Sequence, residues 1–421
     1  MDRSSSPAVP GQTSTGSSPA IRPSSLVQPE AALAVSRTRA AGSSNTAKTT
    51  SRAGPLSRED GALCRRAVTS PSPDPVPLTS LGHGGGCGCK IAPGLLQDIL
   101  RRTSVLPAPP ELLVDASTSD DAAVYRLNDR QALVATTDFF LPIVDDPHTF
   151  GRIAATNALS DVYAMGASPI LALAVVGMPV ATLGPERIAA ILEGGQSVCR
   201  EAGIPLAGGH TIDSAEPIYG LVALGLVEPE RLRRNADARP GDLLVLGKPL
   251  GVGVLSAALR QQRLSAARYD SLVATTTLLN TPGPALAALD GVHALTDVTG
   301  FGLAGHALEI ARGSGLDLDL HWSAVPLLDG AAELAAAGCV TGASGRNWEA
   351  YGGDVAVPEG FGPVDRALLS DPQTSGGLLV SCRREALEAV LQVFHDRGFT
   401  AAAAIGAVGP RDPQGPRLRL H

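Results

Sequence analysis

Read for the alternation of apolar and polar positions, the chain carries no pattern until about Leu78 and is patterned from there to its end. Pro93 stands where a first helical position would, and Leu95, Leu96, Ile99 and Leu100 recur at helical spacing to make one apolar face. From Ala122 onward strand-like and helix-like stretches alternate. Ala132 to Thr136 predicts a strand closing at Asp138, Thr149 to Met165 a helix, Ile170 to Val176 a buried strand, and Pro185 to Ala202 a second helix. A short strand, Ile204 to Ala207, runs into Gly208-Gly209-His210-Thr211, and Ile218 to Val227 is a further strand. A charged, Pro-bearing linker at Glu228 to Pro240 marks a domain boundary. After it come a strand at Leu243 to Leu246, helices from about Leu250 and a strand ending at Thr296-Asp297. A helix across Leu303 to Ala311 and a strand–helix–strand set from Gly377 to Val408 follow. The pattern predicts an α/β (α+β) protein with two consecutive domains, residues 111–230 and 231–421. A glycine-rich mobile segment with a helix, residues 76–110, precedes them.

Composition explains the unpatterned start. Residues 1–73 are mostly Ser, Ala, Pro, Thr, Gly and Arg, contain no aromatic residue, and carry nine basic against four acidic side chains. Such a stretch buries too little apolar surface to offset its ordering entropy, so residues 1–75 are expected to be a disordered tail. A Ser- and Arg-rich, acid-poor start also resembles an organellar transit peptide; a dispensable tail or an early-assigned start codon is the alternative. With aromatics at 3% the core must be aliphatic, and no platform for stacking bases is available. A net charge of −7 argues against nucleic acid as a partner, and a polyphosphate ligand would need a divalent metal to bridge like charges. The longest apolar run, from Ile170, is far shorter than the roughly 20 residues of a membrane span. Six scattered cysteines are no disulfide framework and fit a reducing, cytoplasmic setting.

Chemistry concentrates first at Gly84-Gly85-Gly86-Cys87-Gly88-Cys89-Lys90. A P-loop would place Lys directly after the last glycine and Ser or Thr after the Lys; here Cys89 intervenes and Ile91 follows. A dinucleotide fingerprint needs a preceding strand, which is missing. What remains is a flexible loop with two thiols and an ammonium. Only three of the 34 basic residues are lysines (Lys48, Lys90 and Lys248), so a compact point charge at Lys90 suits phosphate neutralisation or the lowering of a thiol pKa. A metal-binding Cys-x-Cys pair, or two incidental surface thiols, is the other reading. Carboxylates form the second group: Asp120-Asp121 after a polar loop, Asp138 and Asp297 at strand ends, and Asp161 four residues after Asn157 on one helical face. Strand-end carboxylates suit Mg²⁺ bridging phosphate oxygens, although caps and turns use aspartate too. Gly208-Gly209-His210-Thr211 and Asp371 to Gly377 are two polar glycine turns, each able to meet an anion or simply to turn the chain.

Together these segments resemble the selenophosphate synthetase (selenide, water dikinase) family. The resemblance is carried by His83 to Lys90, Asp120 to Val124, Thr136 to Phe140, Phe150 through Asn157 and Asp161 to Gly166, Ala207 to His210, Thr296 to Gly302, and Asp371 to Gly377. It covers roughly Leu78 to the C-terminus. Some of these pieces also resemble the wider superfamily of aminoimidazole ribonucleotide synthetase and thiamine monophosphate kinase, and residues 1–73 resemble nothing in it.

The resemblance implies two consecutive domains of the aminoimidazole ribonucleotide synthetase-like type and the conversion of ATP, selenide and water to selenophosphate, AMP and phosphate. That product would supply activated selenium for selenocysteine and seleno-tRNA synthesis. It implies that Cys87 is catalytic, that Lys90 is catalytic and contacts the nucleotide phosphates, and that Asp121, Asp161 and Asp297 hold Mg²⁺. Thr118, Ser119, Asp120, Asp138, Asp161, Gly209, His210 and Thr211 would line the nucleotide site. Implied partners are ATP, selenide and a second copy in a homodimer; a selenium-delivery protein is a further candidate. Another ATP-dependent kinase or synthetase of the superfamily, or a non-catalytic carrier using Cys87 and Cys89, are the competing readings.

Overall fold

The computed structural model describes residues 76–91, 93–103, 107–115 and 120–421; the disordered tail expected over residues 1–75 lies outside them. Turns of 3-10 helix at Leu78–Leu81 and Gly86–Cys89 lead into α1 (Pro93–Leu100). β1 (Leu112–Val114), β2 (Ala123–Asn128) and β3 (Gln131–Phe140) follow as an antiparallel meander, then α2 (Pro147–Ala164), β4 (Ser168–Met178), α3 (Val180–Glu201), β5 (Leu206–Asp213) and β6 (Ile218–Val227). These strands make a sheet of order β1-β2-β3-β6-β4-β5, with β4 and β5 parallel and the other neighbours antiparallel. α2 packs on β3 and β6, and α3 on β4 and β5.

The second half contains β7 (Leu243–Leu246), α4 (Val252–Arg260), α5 (Ala266–Thr276), α6 (Gly283–Ala287), β8 (Val292–Asp297), α7 (Gly302–Ser314) and β9 (Asp317–Leu320). α8 (Ala331–Ala336), α9 (Gly342–Tyr351), β10 (Val355–Ala356), α10 (Pro363–Leu369), β11 (Leu378–Cys382), α11 (Leu387–His395), β12 (Ala403–Gly409) and β13 (Leu418–Leu420) complete it. Its sheet runs β10-β13-β9-β12-β7-β11-β8. Every residue of β7 and β11 is buried, so these unbroken apolar runs are central strands covered on both faces.

α2 joins the two halves. Asp146 caps it by accepting from the Thr149 N–H at 2.7 Å, and Pro147 occupies the first turn, which is why the helix starts before the predicted Thr149. It meets α3 nearly backbone to backbone: a Cβ on Gly151 would stand 1.9 Å from the Ile191 carbonyl oxygen, and one on Gly194 would stand 2.1 Å from that of His148. α2 also reaches β8 and α5. Thr156, Asn157 and Ser160 are fully buried polar residues on it, which an ordinary amphipathic helix would not carry there.

Two expectations change. Gly208-Gly209-His210-Thr211 is not a loop but the middle of β5. Its glycines take φ of 132° and 152°, and a Cβ on Gly209 would lie 2.1 Å from the Ala174 carbonyl oxygen, so glycine lets β5 hug β4. Gly82 to Lys90, expected to be flexible, is a docked segment with a 3-10 turn at its centre. β1, β9, β10 and β13 were not expected at all, being two to four residues long.

Candidate active site

The docked turn, two strand ends, one face of α2 and the loop before β11 converge. Gly86 has φ of 55°, and a Cβ there would stand 2.2 Å from Thr374 Oγ1, so glycine alone brings the turn onto that loop. Thr374 Oγ1 accepts from the Cys87 N–H at 3.0 Å. The Cys87 thiol, 1% exposed, donates to Asn157 Oδ1 at 3.2 Å. The same Asn157 oxygen accepts the Ser375 N–H at 2.6 Å, and its amide nitrogen donates to Asp138 Oδ2. Lys90 Nζ stands 3.7 Å from that Asp138 oxygen. Cysteine and lysine are thus joined through Asn157 and Asp138. Cys89 points elsewhere: its Sγ lies 3.0 Å from where a Cβ on Gly84 would be.

The electrostatics correct one expectation. Lys90 does favour the Cys87 thiolate, but burial first and the Asp138 carboxylate second push the thiol well above its ordinary range. In the docked arrangement Cys87 is a protonated thiol. Lys90 is held charged far above neutrality, chiefly by Asp138.

Asp121, Asp161 and Asp297 face one another beyond this junction. Burial and then mutual repulsion raise Asp121 and Asp161 well above the usual carboxylate range, with Asp297 the largest charge acting on both. Burial also raises Asp297, and a hydrogen bond from Ser160 opposes the rise. Thr136 Oγ1 donates to Asp161 Oδ2 at 2.6 Å and Thr296 Oγ1 to Asp121 Oδ1 at 3.0 Å. Among the described residues Asp121 Oδ2 is buried with no hydrogen-bond partner. Three mutually repelling carboxylates with an orphaned oxygen fit a divalent cation, which would relieve both costs. No three His, Cys, Asp or Glu side chains among the described residues form a ready-made ligand cage.

The other expected residues lie apart. Thr118 and Ser119 are outside the described residues. Asp120 Oδ1 accepts from the Asn235 N–H at 2.8 Å, tying its loop to the interdomain linker. Gly209 is aligned with Asp138 across the sheet, through Leu221 and Ala174, three strand spacings or about 14 Å away. Gly209, His210 and Thr211 border a cavity of about 450 Å³ that Leu192, Glu193 and Gln196 of α3 also line, away from Cys87. One chain does not bring them to the Cys87 junction.

Sequence reasoning missed Asn157 as a site residue, together with Ser160, Thr374 and Ser375, whose hydrogen bonds join distant segments. Asp371 to Gly377 is more than a turn. Asp371 Oδ2 accepts from the N–H groups of Gly253 and Val254 at the start of α4, and burial pushes its carboxyl up to about 7. Lys248 was flagged by its rarity, and the structure shows why it is unusual. It is 2% exposed, and its Nζ donates to the carbonyls of Leu278 at 2.6 Å and Ser375 at 2.8 Å. Burial pushes its pKa down from 10.5 to about 7, against the pull of Asp297. Between those values the unfolded chain binds a proton that the folded chain has lost, so this group makes stability rise with pH. Urea unfolding at pH 7 and pH 9 is expected to show a gain of roughly 2–3 kcal/mol in wild type that Lys248→Met lacks.

Comparison with known proteins gives the family to which the chain belongs. Residues 119–227 match the AIR synthase related protein N-terminal domain and residues 239–418 its C-terminal domain. A selenide, water dikinase of Burkholderia pseudomallei is 68% identical over 318 residues, covering 76% of this chain and 90% of that protein. The Rhizobium meliloti protein of that name is 55% identical over 318 residues, covering 76% and 91%. Among solved structures, thiamine-monophosphate kinase from Stenotrophomonas maltophilia superposes with a TM-score of 0.53 at 20% identity, over 79% of this chain and 96% of its own. This last likeness concerns the fold alone. With the relatives matched over nine-tenths of their length, the chain belongs to the selenide, water dikinase family.

Proposed function

We propose that the chain is a selenophosphate synthetase, passing the γ-phosphoryl group of ATP to selenide and hydrolysing the resulting ADP to AMP and phosphate. The observation that carries this reading is the Cys87–Asn157–Asp138–Lys90 junction set against a cluster of carboxylates. Phosphoryl transfer needs positioning and charge neutralisation more than covalent chemistry, and Lys90 brings an ammonium to where the transferred group would lie. Cys87 offers a soft sulfur for a soft, oxidisable substrate, and its burial keeps water away while transfer occurs. Asn157 orients that thiol and Asp138 orients Lys90. Asp121, Asp161 and Asp297 would hold Mg²⁺, which neutralises phosphate charge when bound. Undocking of the Gly82–Lys90 segment would admit nucleotide. The test is ³¹P NMR of ATP and selenide with the enzyme under anaerobic conditions. Selenophosphate, AMP and phosphate in equal amounts support the reading; ADP as the final nucleotide overturns it.

The chain is also proposed to work as a homodimer in the cytoplasm. The strand register sets Tyr125, Phe139 and Ile212, each 43% exposed or more, on the face of the first sheet away from α2 and α3. A second copy would bury it, and it borders the edge strand that carries His210. Sedimentation is expected to give twice the chain mass, and Ile212→Arg to give the monomer. The five described cysteines are unpaired, as a reducing compartment keeps them, and no described helix is long and apolar enough to cross a membrane.

A further inference from the structure

The site has two electrically opposite sides. On one stand Asp121, Asp138, Asp161 and Asp297. On the other a narrow cleft reaches Cys87 between Lys90, the Gly300-Phe301 backbone and α9, which contributes Ala343 and Arg346. Among the described residues no aspartate or glutamate lines it. Its volume is about 10 Å³, room for about one water-sized body. Arg346 is exposed at its rim, with its guanidinium donating to the Gly88 carbonyl at 3.3 Å. Asn347 fixes the opposite wall, donating to the carbonyls of Gly300 at 2.9 Å and Ser370 at 3.1 Å.

Hydroselenide is a small anion at neutral pH. An approach through the carboxylates would bring like charges together, whereas the cleft offers Lys90 and Arg346. We infer that this cleft is the entry and holding site for the hydroselenide anion, with Arg346 attracting it to Cys87 while nucleotide occupies the carboxylate side. The inference rests on the proposed reaction. A cleft this narrow favours a small free anion over selenium carried on a bulky thiol such as glutathione.

Initial rates of AMP formation with selenide varied at saturating ATP, and with ATP varied at saturating selenide, test it. Arg346→Glu is expected to raise KM for selenide about tenfold and leave KM for ATP within twofold, while Arg346→Lys stays close to wild type. Wild type should also lose kcat/KM for selenide as ionic strength rises, and Arg346→Glu should not. An unchanged selenide KM in Arg346→Glu overturns the inference. So does a parallel fall in kcat with both KM values unmoved, which would reduce Arg346 to a clamp on Gly88. If wild type forms no selenide-dependent AMP, the reaction itself is misassigned; if it does and Arg346→Glu changes nothing, the cleft alone fails.

Discussion

Cys87→Ser is expected to lower selenide-dependent AMP formation by about a thousandfold or more, while Cys89→Ser stays within a few-fold of wild type. A serine hydroxyl can donate to Asn157 Oδ1 as the thiol does, at a position already 1% exposed, so the fold and the docked turn should survive. What is lost is the polarizable sulfur that meets a soft selenium substrate. Cys89 Sγ lies against Gly84, whereas it is the Cys87 thiol that meets Asn157. Lys90→Met should be as severe for a different reason. Among the described residues it leaves Asp138 with Asn157 as its remaining side-chain partner, so that its charge would repel a nucleotide phosphate where an ammonium had offset it. The assay is nucleotide analysis after anaerobic turnover. Because the thiol is held protonated by burial and Asp138 in the docked turn, alkylation of Cys87 should be slow until the turn opens. Peptide mapping would report this as Cys89 labelled ahead of Cys87.

The parts of this architecture that the sequence made legible are those with many positions to vote. α2, α3 and β6 each show a long period, and their predicted and observed spans nearly coincide. β1, β9, β10 and β13 have two to four residues, too few for alternation to stand out from a loop. Gly208-Gly209 was misplaced because glycine marks both turns and strands that approach another backbone closely, and only the neighbour Ala174 distinguishes them. At the site, the charged residues were visible one by one. Their wiring was not: Thr374 lies 287 residues from Cys87, and Ser375 lies 218 from Asn157. The sign of the Cys87 shift depended on that wiring. A lysine next to a thiol predicts an activated thiolate in water, but docking against Asn157 and Asp138 makes desolvation the larger effect.

Asp161→Asn is expected to stop turnover while stabilising the cation-free protein. Asp161 is raised by burial first, then by Asp297 and Asp138, so its charged form is disfavoured on folding. An acid raised in this way makes the folded state bind more protons than the unfolded one, so stability falls as pH climbs from the ordinary carboxylate range toward the raised value. Asparagine removes the charge, still accepts from Thr136, and relieves Asp121 and Asp297 as well. Without divalent cation, the variant should therefore melt higher than wild type at neutral pH, by on the order of 1–2 kcal/mol, and its stability should vary less with pH. Cation and a non-hydrolysable ATP analogue should reverse the order. They raise wild-type stability in proportion to RT ln(1 + [L]/Kd), and more at pH 8 than at pH 6 because protons compete for the same oxygens. In Asp161→Asn that gain should largely vanish, together with AMP formation. A variant that melted lower than wild type without cation, yet kept the full cation-dependent gain, would remove Asp161 from the ligand set and leave it a structural partner of Thr136.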